Sequence, residues 1–325
     1  MHAADETTVG ELGERALLRR VFDALSGSSA ALVGPGDDAA VLAVPGGRAV
    51  VSTDTLVHGP DFRLAWSSGF DLGWKAAAVN LADIAAMGAR PTALFVALAL
   101  PDATSVHFVE ELARGLRTAC EELAPGCAVE GGDLTASDTL TIAVTAFGVL
   151  DGTEPVLRSG ARPGDTVALA GEVGPAARGI TLLFDRFRDG AGTPVPVDDA
   201  ILTAAERRDL TAQLRPRPPV SLGVVAARGG ATALMDVSDG LLLDATRLAD
   251  ASGVTVDLDA VADDAALRGG EDHALLACFS GPLPEGYRAV GRIVARGDAA
   301  VTVGGEAVTG HLGWDPHHDW DAGLG

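Results

Sequence analysis

Lysine is almost missing from this chain: of 24 basic residues, Lys75 alone is lysine and the rest are arginine. A compositional bias toward Arg and Ala codons explains the shortage but not the exception. A lysine kept in an arginine-rich chain marks a place where a compact ammonium is needed and a planar fork does not fit. Cysteine is scarce too. Cys120, Cys127 and Cys278 form an odd set without metal-type spacing, which fits a reducing cytosol and excludes a disulfide-stapled fold. Long apolar runs are absent, and the longest, Ala93–Leu100, is too short to cross a bilayer. Met1–Gly10 is polar and acidic, unlike a secretory leader, so the expectation is a cytoplasmic protein with no membrane partner. Net positive charge is lacking as well: the balance is −21, which argues against nucleic acid as a partner. No Walker A sequence occurs, so a bound nucleotide is not held by a P-loop. The histidines have no metal-ligand spacing, and His317-His318 is expected in solvent.

What remains is an ordered globular composition, 47% hydrophobic and 21% charged. At 325 residues the chain exceeds what one hydrophobic core usually spans, so two domains are expected. The pattern of elements is α/β. Apolar spacing predicts a helix over Glu11–Leu25, and short β-rich runs at Ala39–Val44 and Arg48–Thr53 predict a hairpin across Pro45-Gly46-Gly47. Phe70–Met87 is an alanine-rich helix closed by Gly88. Ala93–Leu100 predicts a buried strand, Ser105–Leu123 a helix, Ala128–Gly131 a short strand, and Thr139–Val149 another strand. Glycine and proline cluster over Asp151–Gly164. The boundary falls there, giving residues 1–150 as an N-terminal domain and 151–325 as a C-terminal α/β domain.

The second half opens with a strand at Thr166–Ala170 and a glycine-rich turn into a helix. The prolines of Arg215–Pro219 make a linker between helices. Thr232–Val237 is a strand feeding the helix Leu241–Ala251, and further strands follow at Val254–Leu258, Ala274–Phe279, Tyr287–Ile293 and Ala300–Val303.

Short acidic motifs sit at the ends of these elements: Gly36-Asp37-Asp38, Ser52-Thr53-Asp54, Asn80-Leu81-Ala82-Asp83, Gly131-Gly132-Asp133 and Asp236-Val237-Ser238-Asp239-Gly240. The first two, taken alone, are ordinary turn or strand-end sequences. Asp83 differs, because it interrupts an apolar helix and a carboxylate there needs a partner or a metal. Lys75, Asn80 and Asp83 fall within roughly 140° of arc on that helix, so one helix can aim all three at one site. Asp236-Val-Ser-Asp-Gly lacks calcium-loop spacing and fits a strand-to-helix turn whose backbone N–H groups face an anion. Carboxylates gathered in one cleft repel unless divalent cations lie between them. Hard oxygen donors suit Mg²⁺, which usually arrives with nucleotide phosphates.

In this order the motifs are specific, and the chain resembles the thiamine-monophosphate kinase family, in the superfamily of aminoimidazole-ribonucleotide synthetase and selenophosphate synthetase. The resemblance runs nearly end to end. It includes Gly34-Pro-Gly-Asp-Asp-Ala-Ala, Ser52-Thr-Asp-Thr-Leu-Val, Lys75 through Gly88, Arg158-Ser-Gly-Ala-Arg-Pro-Gly-Asp and Gly269-Gly-Glu-Asp. It implies two α/β domains, a homodimer whose N-terminal strands close a shared barrel, and transfer of the ATP γ-phosphoryl group to thiamine monophosphate with several Mg²⁺ ions.

Residue by residue it implies metal positions at Asp38, Ser52, Thr53, Asp54, Asp83, Asp133, Asp236 and Asp239. It implies ATP contacts at Gly132, Asp133, Arg158 and Ser238, and substrate contacts at Asp61, Glu271 and Trp314. Trp314 would lay an aromatic face on the cationic ligand. Lys75, Asp133 and Arg158 are the expected catalytic set, working by position and charge because an acceptor that is already an oxyanion needs no general base.

Two departures from the family stand out. Asp61 replaces the usual histidine, placing a carboxylate where an acceptor phosphate is expected, and the Leu258–Gly269 segment is short, as if a helix were missing. Two other readings stay open: another ATP-dependent enzyme of the superfamily, and a non-catalytic nucleotide- or thiamine-phosphate-binding descendant.

Overall fold

The computed structural model describes residues 7–12, 14–27, 43–44, 47–260 and 263–314. Asp38 and most of the expected Ala39–Val44 strand lie outside the described residues, as does His317-His318. The chain is α/β and builds two sheets.

The first sheet has the order β1-β4-β2-β3, with β1 Ala49–Val57, β2 Arg90–Leu100, β3 Ala128–Ala136 and β4 Thr141–Val149. β4 runs antiparallel to β1 and to β2, whereas β2 and β3 are parallel. The parallel pair needs a crossover, and α4 (Val106–Leu123) supplies it. Ser105 caps α4 by accepting from Phe108 N–H.

α3 (Gly69–Ala86) organises the molecule. Ser68 and Asp71 form a capping box at its start, and Gly88 takes the left-handed conformation (φ 71°) just past its end. Its small side chains let α3 bury nearly every face. Gly73 and Gly115 bring α3 and α4 to backbone contact: a Cβ on Gly73 would lie 2.0 Å from the Leu112 carbonyl oxygen, and one on Gly115 would lie 2.2 Å from that of Phe70. The short α1 (Val9–Leu12) and α2 (Glu14–Leu25) precede this layer, and Leu17 and Leu25 of α2 are buried in its core.

The second sheet has the order β11-β10-β7-β9-β5-β8-β6. Its strands are β5 Thr166–Ala170, β6 Ala231–Val237, β7 Val254–Leu258, β8 Ala274–Phe279, β9 Arg288–Ala295, β10 Val301–Val303 and β11 Glu306–Ala307. The helices α5 (Pro175–Arg186), α6 (Ala204–Leu214), α7 (Ser221–Arg228), α8 (Leu241–Ser252) and the short α9 (Asp264–Arg268) surround it. The segment between Leu258 and Gly269 therefore does carry a helix, one of five residues capped by Asp263.

Leu234, Leu275, Ala277 and Phe279 of the second sheet join the core built around Ala77, Leu81 and Ile84 of α3. Because α3 packs on β1 and β4 as well as on β6 and β8, its polar residues stand where the two sheets meet.

Candidate functional site

Asp83 is the first component. From the last turns of α3 it faces β1, where Ser52 donates its hydroxyl to Asp83 Oδ2 at 2.6 Å. Strand alternation puts Asp54 on the same face as Ser52, within hydrogen-bonding reach of Asp83. Asp54 is raised above the usual carboxylate range, first by burial and then by Asp236 and Asp239, with His273 acting in opposition. Asp83 is pushed up to about 7, chiefly by burial and then by the charge of Asp236. Carboxylates delivered by both sheets thus share one field. Asn80, one turn before Asp83, is buried with its Oδ1 lacking any hydrogen-bond partner.

The second component comes from β6 and the loop after α9. Asp236 is buried at the end of β6, with His273 Nδ1 at 3.2 Å from its Oδ2. Burial alone would lower the His273 pKa, but the Asp236 carboxylate and Glu271 raise it overall. The loop is strained: Glu271 (φ 73°) and His273 (φ 53°) both adopt left-handed backbone, a cost of about 1–2 kcal/mol per residue. Its hydrogen bonds hold it there. Glu271 N–H donates to Ser238 O at 2.7 Å, and the Asp272 carboxylate accepts from Gly174 and Ala176 at 2.6 and 2.9 Å.

In the turn that follows Asp236, Ser238 N–H and Asp239 N–H both donate to Asp244 Oδ2 at 3.0 Å, whereas the N-terminus of α8 at Gly240 carries no side-chain cap. Asp244 is fully buried, pushed up to about 6 by burial against the hydrogen bond from Asp239 N–H, and paired with Arg247. Arg247 also binds Asp239 at 2.6 Å. His273, Asp244 and Arg247 were not singled out in the sequence. Only the fold shows that α8 returns a carboxylate under the turn it starts from.

Beside the cluster lies a cavity of about 470 Å³. Lys75 is buried in its wall and ion-paired with Glu271, which burial would push up but Lys75 and His273 hold below the usual glutamate range. With its amide oriented to suit both neighbours, Gln213 accepts from Lys75 Nζ at 3.1 Å and donates to Ala176 O at 3.1 Å. Trp314, 39% exposed, lines the mouth, and its backbone N–H donates to Asp239 O at 2.8 Å. Asp61 also lines the cavity, with Oδ2 accepting from Val57 N–H at 2.7 Å, so its carboxylate closes a local turn. Burial raises Asp61 most, and the Glu271 charge adds to the shift.

Other expected site residues are not brought to this place. Thr53 lies on the opposite face of β1, donating to Val144 O at 3.0 Å. Asp133 is mid-strand in β3, not at a strand end, and pairs across to Ala97 on the open face of the sheet. Three strand spacings, about 14 Å, separate β3 from β1. Gly132 serves close strand approach, since a Cβ there would lie 2.0 Å from Val96 O. Arg158 is exposed, and its carbonyl accepts from Ser252 at the far end of α8. Among the described residues, no three His, Cys, Asp or Glu side chains converge tightly enough to form a complete ion cage.

Two sheets of this order, meeting at a carboxylate cluster beside an open cavity, define a class. Residues 36–150 match the family of AIR synthase related protein, N-terminal domain. Thiamine-monophosphate kinase of Mycobacterium tuberculosis is 41% identical over 96% of this chain and 94% of its own length. The crystal structure of thiamine-monophosphate kinase from Stenotrophomonas maltophilia superposes with a TM-score of 0.75 at 32% identity, covering 90% of this chain and 96% of that one. AaThiL complexed with AMPPCP and TMP gives a TM-score of 0.71 at 28% identity, covering 94% and 98%. The chain belongs to the thiamine-monophosphate kinase family. No helix among the described residues is long and apolar enough to cross a membrane.

Proposed function

We propose that this chain transfers the γ-phosphoryl group of ATP to thiamine monophosphate, giving thiamine diphosphate and ADP. One observation carries the reading: Asp54 on β1 and Asp83 on α3 share a field with Asp236 at the end of β6 and Asp239 in the turn after it, at the edge of a cavity of about 470 Å³. Membership of the family and the AaThiL complex with AMPPCP and TMP support it.

The donor set fits Mg²⁺. Asp83 is pushed up to about 7, chiefly by burial and then by the charge of Asp236, and a hard cation would take the place of its proton. Mg²⁺ usually takes only one or two carboxylates and completes its shell with waters and phosphates, so no closed cage is required. Asp54, Asp83, Asp236 and Asp239 would hold the ions, with Ser52 orienting Asp83. Asp38, Thr53 and Asp133 belong to the proposed metal set, and Gly132, Arg158 and Ser238 to the ATP contacts, on family resemblance alone. Bound Mg²⁺ neutralises the two phosphate groups that must meet.

The protein's part is positioning. An oxygen of the acceptor phosphate attacks the γ-phosphorus, the bond to the β-phosphate oxygen breaks, and ADP leaves with that electron pair. No proton needs removing from the acceptor. Lys75, fixed by Glu271 and Gln213, supplies a set positive charge at the cavity end nearest the cluster. Trp314 offers its ring to the acceptor's cationic thiazolium, and Glu271 offers charge.

The same reading includes a homodimer formed through the open face of the first sheet, where Val51 is 53% exposed, with the strands closing a shared barrel. It also includes a domain boundary after residue 150 and a cytoplasmic location. ADP release that requires Mg²⁺ and thiamine monophosphate together, and that other phosphate acceptors do not support, is the test. ADP release indifferent to the acceptor would remove the kinase assignment.

A further inference from the structure

Arg63 is nine-tenths buried in the wall of the cavity, yet it is almost unpartnered. Among the described residues its side chain makes one hydrogen bond, from Nη1 to the Phe62 carbonyl at 3.3 Å, and its Nε is buried with no acceptor. Its guanidinium lies 5.9 Å from the Phe184 ring centroid, and Arg188 lies over the same ring at 5.2 Å. Arg188 spends its Nε on the Phe184 carbonyl. Burial lowers the Arg63 pKa, and Asp61 is the charge that opposes this. A guanidinium carries five donors, and leaving them unmet while buried costs free energy that a structural role does not return.

Position narrows what could meet them. α5 starts at Pro175, where Asp272 holds the backbone beside Glu271 and the carboxylate cluster. Phe184 lies about 13 Å further along that helix at 1.5 Å per residue. Arg63 and Arg188 therefore mark the cavity end remote from Asp54, Asp83 and Asp236, and Asp61 is the carboxylate whose charge reaches Arg63 there.

Resting on the kinase reading, the acceptor's phosphate must point toward the carboxylates. The remote end then receives the other end of the molecule. Two guanidinium groups repel the cationic thiazolium, whereas the neutral aminopyrimidine has ring nitrogens that accept hydrogen bonds and match a donor-only partner. We propose that Arg63, backed by Phe184 and Arg188, is the acceptor-recognition residue that donates to the pyrimidine ring nitrogens and fixes which way round the acceptor lies.

The test compares thiamine monophosphate with its phosphoethyl-thiazole fragment, which lacks the pyrimidine. In Arg63→Met the KM for thiamine monophosphate should rise about tenfold or more, with the KM for ATP unchanged. Turnover of the fragment should match the wild type, because the lost contact is one the fragment never makes. Equal damage with both acceptors would place Arg63 on the phosphate and overturn the inference, as would no change with either.

Arg63→Lys keeps the charge without the fork. It should show the same dependence on acceptor in milder form, and it replaces Arg63→Met should that variant fail to melt cooperatively. Calorimetric binding of both acceptors, with Mg²⁺ and a non-hydrolysable ATP analogue, reads the same difference without turnover. A wild type that transfers no phosphoryl group would defeat the kinase reading, whereas a working wild type with an indifferent Arg63→Met would defeat only this inference.

Discussion

Ser52 on β1 donates its hydroxyl to Asp83 on α3 at 2.6 Å, tying the carboxylate of a buried helix to the edge of the first sheet. That bond fixes one oxygen of Asp83, and the residue's other neighbours, Asp54 and Asp236, are themselves anionic. Asp83→Asn should keep the fold while lowering turnover roughly a hundredfold or more, since charge neutralisation is most of what such a site contributes. Ser52→Ala should lower it less. Steady-state kinetics beside circular dichroism would show this, and near-normal turnover in Asp83→Asn would remove Asp83 from the metal set.

The same cluster sets a pH dependence. The folded pKa of Asp83, about 7, lies above its ordinary value of 3.8, so the folded chain binds the proton more tightly than the unfolded one. Its contribution to stability is complete below 3.8 and is lost as pH rises through about 7. The Tm of the metal-free wild type, minus that of Asp83→Asn, should therefore fall between pH 5 and 8, as roughly one proton is released. Saturating Mg-ATP should raise Tm and flatten that trend, because binding to the folded state alone stabilises it. A metal-free difference that rises with pH would contradict the assignment.

Lys75 is buried between Glu271 and Gln213. Lys75→Arg should impair turnover although the charge is kept, because a larger planar group must enter a closed site. Lys75→Met should cost about 1–3 kcal/mol of stability, less than a fully buried pair, because Glu271 keeps 45% of its side-chain surface exposed. Wild-type kinetics for Lys75→Arg would make the chain's lone lysine incidental.

Asp61 closes a turn on Val57 N–H and also adds negative charge to the acceptor cavity. Asp61→Asn preserves an acceptor for that turn and removes the charge. It should lower the KM for thiamine monophosphate and leave that for ATP unchanged. Asp61→His removes the turn contact as well, so it should be less stable than Asp61→Asn. If both constants are unmoved in Asp61→Asn, the carboxylate does not oppose the acceptor.

Asp133 separates resemblance from geometry. One chain places it on the open face of the first sheet, away from Asp54. Asp133→Asn should nonetheless cut turnover as strongly as Asp83→Asn if the family assignment carries over. Near-normal turnover would restrict the metal set to the residues that this fold gathers.

Much of this architecture was legible in the sequence because local rules decided it. The alanine-rich α3, its Gly88 stop, and the proline linker between α6 and α7 follow from propensity and from the turn chemistry of particular residues. β3 ran past its predicted end because Gly131 and Gly132 permit close approach to β2 and do not break the strand. The five-residue α9 is too short for periodicity to show. In the site, Asp83 was legible as a carboxylate on an apolar helix. Thr53 was not separable from Ser52 and Asp54 until pairing fixed the faces, because adjacent strand residues point oppositely. His273, Asp244 and Arg63 depend on contacts between distant segments, which no spacing in the sequence reveals.

The central claim is a phosphorus–oxygen bond formed on thiamine monophosphate. Phosphorus NMR of purified protein with ATP, Mg²⁺ and thiamine monophosphate follows that bond directly. The expected result is the diphosphate signals of thiamine diphosphate growing in step with ADP, with no free phosphate. Inorganic phosphate appearing with ADP while thiamine monophosphate stays unchanged would contradict it.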